Sequence, residues 1–442
     1  MNALLLMPYS LFKSRDEMPQ KSSAGKIKDL GGLSRIRGSI MASKGIGVAF
    51  KVLYSLFIGF FMAAAAYPTG EITVENRVSY LGRPAVVMIT SEYYGNLVND
   101  DGESTVYLSS DDSEFELELD IPQFSTGSFG SGFVVSSDGY IVTNAHVVQE
   151  AEEELKAEFA LQALEWGAEE WPSIFVANGD EPYPATEEDL LEIYDLFLTY
   201  DLDVMQEIMV YFGAPSILDR SPAGYPAEIR KISPQEMWFG SGESKYRSGK
   251  DLAIIKIETP DELPTATLGD SWGVEVGDKV VVIGYPGVTT SWQNIELSWE
   301  TDYVPTVTSG IISAEKRLPD RSEVFQTDAA IYHGNSGGPA FNAEGEVIGI
   351  ATFGSGTTLV SGEWIDVQGY NFLIPINVAK SFISELNIDT APSETTKAFE
   401  RGFELYWNGS LSEARGEFDA ILKTLHPTNQ YATEYSSMAQ RG

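Results

Sequence analysis

The chain has no cysteine, only three histidines and, beyond its first 66 residues, little positive charge. Without cysteine no disulfide braces the fold, and no thiolate can serve as nucleophile or metal ligand. Imidazole can come only from His146, His333 and His426, so metal chemistry is a poor expectation and no cofactor is expected. The shortage of lysine and arginine is equally restrictive. Residues 1–66 hold nine basic and three acidic residues, leaving 20 basic against 62 acidic in the remainder. Such a surface repels phosphate backbones and argues against nucleic acid as a partner. Its plain reading is solubility or salt tolerance. A long apolar run is also missing: the uncharged stretch from Val52 to Ala66 falls short of the ~20 residues a membrane-spanning helix needs.

That short stretch has another use. Lys44 and Lys51 precede it, and Ala64 and Ala66 fit the small-residue rule for a signal peptidase, with Tyr67 beginning the mature chain. We expect an export signal starting at Met41 and cleaved after Ala66, residues 1–40 being an extension or an over-called start. The destination is then periplasmic, extracellular or the cell envelope, with membrane attachment only if the segment stays uncleaved.

What is present is largely β. Residues 77–90, "RVSYLGRPAVVMIT", suggest an entering strand, and Gly130–Val148 reads as a hairpin around a Ser-Asp-Gly turn. Residues 95–127 between them suggest a decorated loop or an extra hairpin. Short β-rich runs return at Asp251–Glu258, Gly277–Gly287, Thr306–Arg317, Gly345–Gly354 and Gly369–Ile376, which argues for an all-β sandwich or barrel. A helix over 377–386 closes the region. The segment 149–245 differs, with 22 acidic against 5 basic residues over 150–245. Apolar residues at helical spacing, including Leu190, Ile193, Tyr194, Phe197 and Leu198 behind a Thr186 cap, predict two amphipathic helices over 150–166 and 186–212. After a linker, Ala398, Gly402, Tyr406, Gly409, Ala414, Phe418 and Pro427 resemble one tetratricopeptide repeat. A lone repeat cannot bury its own face, so it either docks on the β domain or belongs to a truncated or partner-completed array.

Three segments carry candidate chemistry. Serine is a weak nucleophile and needs a base within hydrogen-bond reach, which in turn needs a group to orient it. His146 in "TNAHVV", Asp251 in "KDLAIIKI" and Ser336 in "GNSGG" supply these types at strand edges. The glycines permit the unusual backbone angles that turn N–H groups toward a developing oxyanion. The backbone N–H groups of Gly334, Asn335 and Ser336 are the expected oxyanion hole, with those of Gly334 and Ser336 as its principal donors.

The segments "GSGFVVSSDGYIVTNAHVV", "KDLAIIKIE", "LGDSWGVEVGDKVVVIGYP", "VTSGIISAEKR" and "QTDAAIYHGNSGGPAFN" together resemble the HtrA/Deg branch of the trypsin-like serine proteases. The resemblance covers about residues 77–385. It implies a mainly β double six-stranded barrel with the site in the cleft between barrels, His146 as general base, Asp251 as its orienting group and Ser336 as nucleophile. His333 then becomes a loop residue near the site. The specificity pocket is expected at Ala330, Ile331, Thr352 and Phe353, with small or medium aliphatic side chains preferred because no acidic residue lies at its base.

Departures from the family pattern shape the remaining expectations. His146 and Asp251 are 105 residues apart, which places the acidic helical segment as an insertion, about 149–245, in the first barrel. The loop 287–306, with Trp292 and Trp299, is long. Members of the branch commonly carry a peptide-binding PDZ domain after the protease, whereas the roughly fifty residues that follow it in this sequence are expected to be the tetratricopeptide-like segment. The zymogen switch of digestive trypsins is not expected, since Asn335 stands where those enzymes carry aspartate. The expected organisation is an extension and signal over 1–66, a protease domain over 67–388, and a linker with a small tetratricopeptide-like α-hairpin over 389–442. An exported endopeptidase acting on unfolded or partly folded polypeptides, in protein quality control, is the leading reading. A protease-fold binding, scaffold or chaperone-like protein with little turnover is the alternative. Polypeptide substrates are the expected partners, with a further protein partner conceivable at the acidic insertion or the repeat-like segment. The oligomeric state is left open.

Overall fold

Thr73 caps the first helix of the computed structural model, its hydroxyl accepting from Asn76 N–H at 3.2 Å. The described residues run from 72 to 441, with 111–112, 178–186, 214–222, 234–235, 240–243, 248–249, 291–298 and 359–363 outside them. The expected export segment, Thr186 and Trp292 lie outside the described residues, as do the side chains of Trp299 and Phe353. Helix α1 is Val74–Gly82. Its Val, Tyr and Leu suggested a strand in the sequence, but the Thr73 cap and an acidic first turn at Glu75 favour a helix start. Pro84 then helps end it, and extended backbone begins only at Val86.

Strands β1 (Val86–Val98), β2 (Thr105–Ser110), β3 (Ser113–Asp120), β4 (Phe124–Val134) and β5 (Tyr140–Thr143) follow. Next come the short helix α2 (Ala145–Val148) and the long helices α3 (Glu152–Ala177) and α4 (Glu187–Thr199). Strands β6 (Asp201–Phe212), β7 (Gly224–Ile232), β8 (Glu236–Phe239), β9 (Ser244–Arg247) and β10 (Ala253–Ile257) complete the first half. Six of these strands close a barrel in the order β1-β4-β5-β10-β7-β6. The second half contributes β11 (Lys279–Gly284), β12 (Thr306–Arg317), β13 (Glu323–Thr327), β14 (Pro339–Phe341), β15 (Val347–Thr358) and β16 (Trp364–Pro375). They close a second barrel, β11-β12-β13-β16-β15-β14. The fold is thus mainly β, a double barrel with helices added.

The segment 149–245 is not the helical block that its composition suggested. Residues 201–212 form β6, which pairs antiparallel with β1 from Val98↔Asp201 to Val87↔Phe212. The apolar residues Leu202, Val204, Ile208, Val210 and Phe212 also fit a period of two, and pairing with a long neighbouring strand decides between the two periods. With β7, these residues are wall strands of the first barrel. The true additions are α3, α4 and the hairpin β8–β9.

Those helices rest on prolonged barrel strands. The near half of β1 puts Val87 and Ile89 into the first barrel's core and Val86 and Met88 into the core shared with the second barrel, while Tyr93 and Leu97 join a separate core with Leu155, Phe159, Phe197 and Tyr200. Full burial of each phenylalanine there contributes about 1.5–3 kcal/mol. The result is a cap fixed to the first barrel by shared strands.

At the other end, α5 (Ile376–Glu385) leads to α6 (Glu394–Trp407), α7 (Leu411–Ala420) and α8 (Gln430–Arg441). A Cβ at Gly402 would stand 2.4 Å from the Phe418 ring, so glycine is what lets α6 and α7 approach. Their shared face is covered by Tyr431 and Tyr435 of α8 and by Tyr80 and Leu81 of α1. The helical segment docks on the barrels. Thr265 N–H donates to Thr396 Oγ1 at 2.7 Å, Thr395 Oγ1 donates to Glu262 O at 2.7 Å, and Glu262 N–H donates to Leu425 O at 3.0 Å. Among the described residues no helix is long and apolar enough to cross a membrane.

Candidate active site

His146 sits on the four-residue helix α2, directly after β5, and Asp251 stands just before β10. Because β5 and β10 pair with Thr143 opposite Ala253, the two side chains meet although 105 residues separate them. His146 Nδ1 lies 2.6 Å from Asp251 Oδ2, and His146 N–H donates to Asp251 Oδ1 at 3.1 Å. A carboxylate has no proton to give, so the hydrogen belongs on Nδ1 and the lone pair of Nε2 faces outward. Asp251 is 3% exposed. Asn144 Nδ2 holds its main-chain carbonyl at 2.7 Å, and Thr352 Oγ1 reaches its Oδ2 at 3.3 Å.

Ser336 arrives from the second barrel, in the loop between β13 and β14. Its hydroxyl donates to Thr352 O at 2.9 Å, so one residue of β15 touches both the buried carboxylate and the serine. The next residue, Gly337, has φ +85°, and a Cβ there would meet Ser131 O at 2.1 Å and Thr143 Oγ1 at 2.3 Å. Only glycine allows the loop to close this tightly against the first barrel.

The preceding turn is ordered by main-chain bonds. Asn335 N–H donates to Tyr332 O at 2.9 Å, and Gly287 N–H donates to His333 O at 2.7 Å. In a trans peptide C=O and N–H point in opposite directions, so the Gly334 N–H faces away from Gly287. Among the described residues, neither Gly334 N–H nor Ser336 N–H donates to a protein acceptor. Asn335 differs from the expectation for it: its N–H is spent within the turn. Two unspent donors beside a serine hydroxyl make a pocket suited to an anionic oxygen.

Comparison with known proteins agrees with this geometry. The family model described as trypsin-like peptidase domain matches residues 130–190 and 217–350. A probable periplasmic serine endoprotease DegP-like of Hahella chejuensis is 33% identical over 287 residues, covering 64% of this chain and 38% of that protein. Its namesake in Halomonas elongata is 31% identical over 269 residues, 60% of this chain and 36% of that protein. The putative serine protease HhoA of a Synechocystis strain is 42% identical over 144 residues, 31% of each chain. The chain is thus similar to the trypsin-like peptidases over residues 130–190 and 217–350 and, among its relatives, to serine proteases of the HtrA/Deg kind. It spans less than two fifths of the length of these curated relatives.

Around this candidate site the remaining expected residues take varied places. Ala330 is half-buried and its carbonyl accepts from Thr308 Oγ1 at 2.8 Å, while Ile331 is buried. Thr352, expected in the specificity pocket, directs its hydroxyl at Asp251 and its carbonyl at Ser336. His333 is exposed and engages through its carbonyl. The acidic cap reaches the site through Glu150, whose N–H donates to Tyr93 Oη at 2.9 Å. Burial pushes the Glu150 carboxyl up to about 7, helped by its hydrogen bond with Glu154, and the charge of His146 opposes the rise.

Reading by motif passed over Ser131, Asn144 and Asn371. Asn144 precedes His146 by two residues and could have been found from position alone. Asn371, 2% exposed, donates from Nδ2 to Ala329 O at 2.8 Å. Ser131 lies in the "GSGF" run that read simply as strand.

Proposed function

We propose that the chain is an exported serine endopeptidase that cleaves unfolded or partly folded polypeptides through an acyl-enzyme intermediate, in protein quality control. The observation that carries this reading is the 2.6 Å pairing of His146 Nδ1 with the buried Asp251, beside a serine set among unspent N–H donors. Asp251 fixes the tautomer and supports the imidazolium. His146 Nε2 takes the Ser336 proton once the hydroxyl hydrogen turns from Thr352 O, and Ser336 Oγ attacks the scissile carbonyl. The oxyanion is met by Gly334 and Ser336 N–H. His146 then gives its proton to the departing amine, and water, deprotonated by the same imidazole, releases the acyl group.

Export is supported by the expected signal over 41–66 and by the word periplasmic in the names of relatives. Attack by Ser336 needs the scissile peptide bond to be accessible, and an unfolded polypeptide offers accessible bonds along its length. The acidic cap beside His146 is a gate or partner site in this reading, and the helices after residue 389 are a second place for a partner. In the test, a fluorophosphonate probe is applied together with peptide cleavage assays. Wild type should label at Ser336 and cleave, while Ser336→Ala should neither label nor cleave, with kcat falling by about 10⁶, as for removal of the serine in a template protease. A folded wild-type protein that never labels would refute the proposal and leave a binding or scaffold role.

A further inference from the structure

The nucleophile loop belongs to the second barrel, yet the residue that holds most of it belongs to the first. Ser131, on β4 and fully buried, donates its N–H to Ser336 O at 2.8 Å. Its hydroxyl donates to Gly334 O at 2.6 Å and accepts from Tyr285 N–H at 2.9 Å. Its own carbonyl accepts from Thr143 Oγ1 at 2.7 Å. One side chain and its peptide groups thus join β4, β5, the segment after β11 and both ends of the Gly334–Ser336 turn.

We infer that Ser131 is a positioning residue for the oxyanion site, its hydroxyl setting the orientation of the Gly334–Asn335 peptide. The inference rests on the proteolytic reading above. A serine hydroxyl has one hydrogen, and here the Gly334 carbonyl takes it, so Tyr285 N–H must use a lone pair. The chain from Tyr285 N–H through the Ser131 hydroxyl to Gly334 C=O therefore runs in one direction, and each bond polarises the next.

The consequence for the turn is specific. Gly287 clamps the carbonyl of the His333–Gly334 peptide, and Ser131 clamps the carbonyl of the Gly334–Asn335 peptide. With both held, Gly334 keeps its φ of +95° and its N–H stays turned away from Gly287. Remove the second clamp and the Gly334 carbonyl is left buried without its donor. The peptide can recover a partner only by rotating, and that rotation carries the adjoining Gly334 N–H out of alignment.

The surroundings show how closely the turn is fitted to this side chain. A Cβ on Gly284 would lie 2.9 Å from Ser131 Oγ, and one on Gly338 would lie 3.3 Å from Ser131 Cβ. Glycines therefore leave just enough room for a serine. Among the described residues the hydrogen bonds of Ser131 run to Gly334, Ser336, Tyr285 and Thr143 and none to His146, so its effect is directed at the electrophilic half of the site.

The experiment measures kcat and KM of Ser131→Ala on a peptide ester and a peptide amide, normalised by active-site titration, together with the pH–rate profile and the melting temperature. Losing a whole oxyanion donor costs about 10²–10³ in rate, so kcat should fall by roughly 10- to 100-fold, with KM and the apparent pKa of the rate profile unchanged. A purely structural role would lower the melting temperature and the titratable fraction but leave the normalised kcat at the wild-type value, which would overturn the inference. So would a loss carried wholly by KM. Ser131→Gly, which removes the hydroxyl without adding bulk, is measured in the same way if the alanine variant does not fold, and the same outcomes decide. Wild-type protein that neither labels nor cleaves refutes the proteolytic reading, whereas active wild type with full-rate Ser131 variants refutes only the role of Ser131.

Discussion

Gly334→Ala tests the oxyanion site most directly, because the structure separates the costs it would incur. Gly334 has φ +95°, a region that costs a non-glycine residue about 1–3 kcal/mol. The new methyl would also stand 2.2 Å from Tyr285 O and 2.5 Å from the Phe129 ring. Neither neighbour is the loose end of a flexible chain. Relief requires the turn to draw back from Tyr285 and Gly287, breaking the 2.7 Å bond that orients the His333–Gly334 peptide. Misdirecting that N–H should lower kcat by about 10²–10³, equivalent to about 2.7–4 kcal/mol, while KM changes little. Gly345 supplies the control: its φ is +86°, but a Cβ there meets nothing within 4 Å. Gly345→Ala should therefore show the conformational cost in its melting temperature and none in kcat. Steady-state kinetics on a peptide ester, with active-site titration and thermal melts of both variants, reads the two effects apart. Wild-type kcat in a folded Gly334→Ala variant, or an equal kcat loss in Gly345→Ala, would refute the reasoning.

Two further outcomes concern pH and stability. The Glu150 carboxyl is held up to about 7, so between about 4.5 and 7 the folded protein keeps a proton that the unfolded chain releases, and stability falls as pH rises through that window. Glu150→Gln should remove this loss and stabilise the protein by about 1–2 kcal/mol at pH 8, a figure discounted for the carboxyl's partial exposure; denaturant titrations at pH 5 and 8 check it, and an unchanged pH slope would contradict it. His426, 4% exposed, has its pKa lowered by burial, with Asp261 pulling the other way. Below the ordinary histidine range the unfolded chain therefore takes up a proton that the folded protein resists, and stability should drop as pH falls from 7 toward 5. A His426→Asn variant should show a shallower decline in thermal melts over that range, and an equally steep one would exclude His426 as its source.

Much of the site was legible because each of its parts is local. His146, Asp251 and Ser336 each lie in a short run whose glycines, strand edges and neighbours can be read without the rest of the chain. The meeting of His146 with Asp251, by contrast, follows from strand pairing, through the register of Thr143 with Ala253. Residues 201–212 misled because Met, Leu, Ile and Val at mixed spacing satisfy both a helical and an extended pattern, and the arbiter was β1, more than a hundred residues earlier. Ser131 was invisible for a similar reason. Nothing about a serine between glycines says that its hydroxyl is engaged by a carbonyl 203 residues away. Asn335 shows the limit inside a motif: its place beside the nucleophile suggested a donor, whereas the turn uses that N–H at Tyr332.

The contact between the first and last helices bears on how the protein comes into being. Tyr435 Oη donates to Tyr80 O at 3.1 Å across 355 residues of chain, and the rings of Tyr80, Phe403 and Tyr435 pack tilted and edge-on where α1 meets the helical segment. A growing polypeptide cannot make that closure until almost all of it has been synthesised. Contacts of such long range slow folding, since the entropy of a large loop is lost before anything is gained. For the proposed protease of unfolded polypeptides, the finished form is thereby withheld until almost the whole chain is made, which would shield nascent copies from one another.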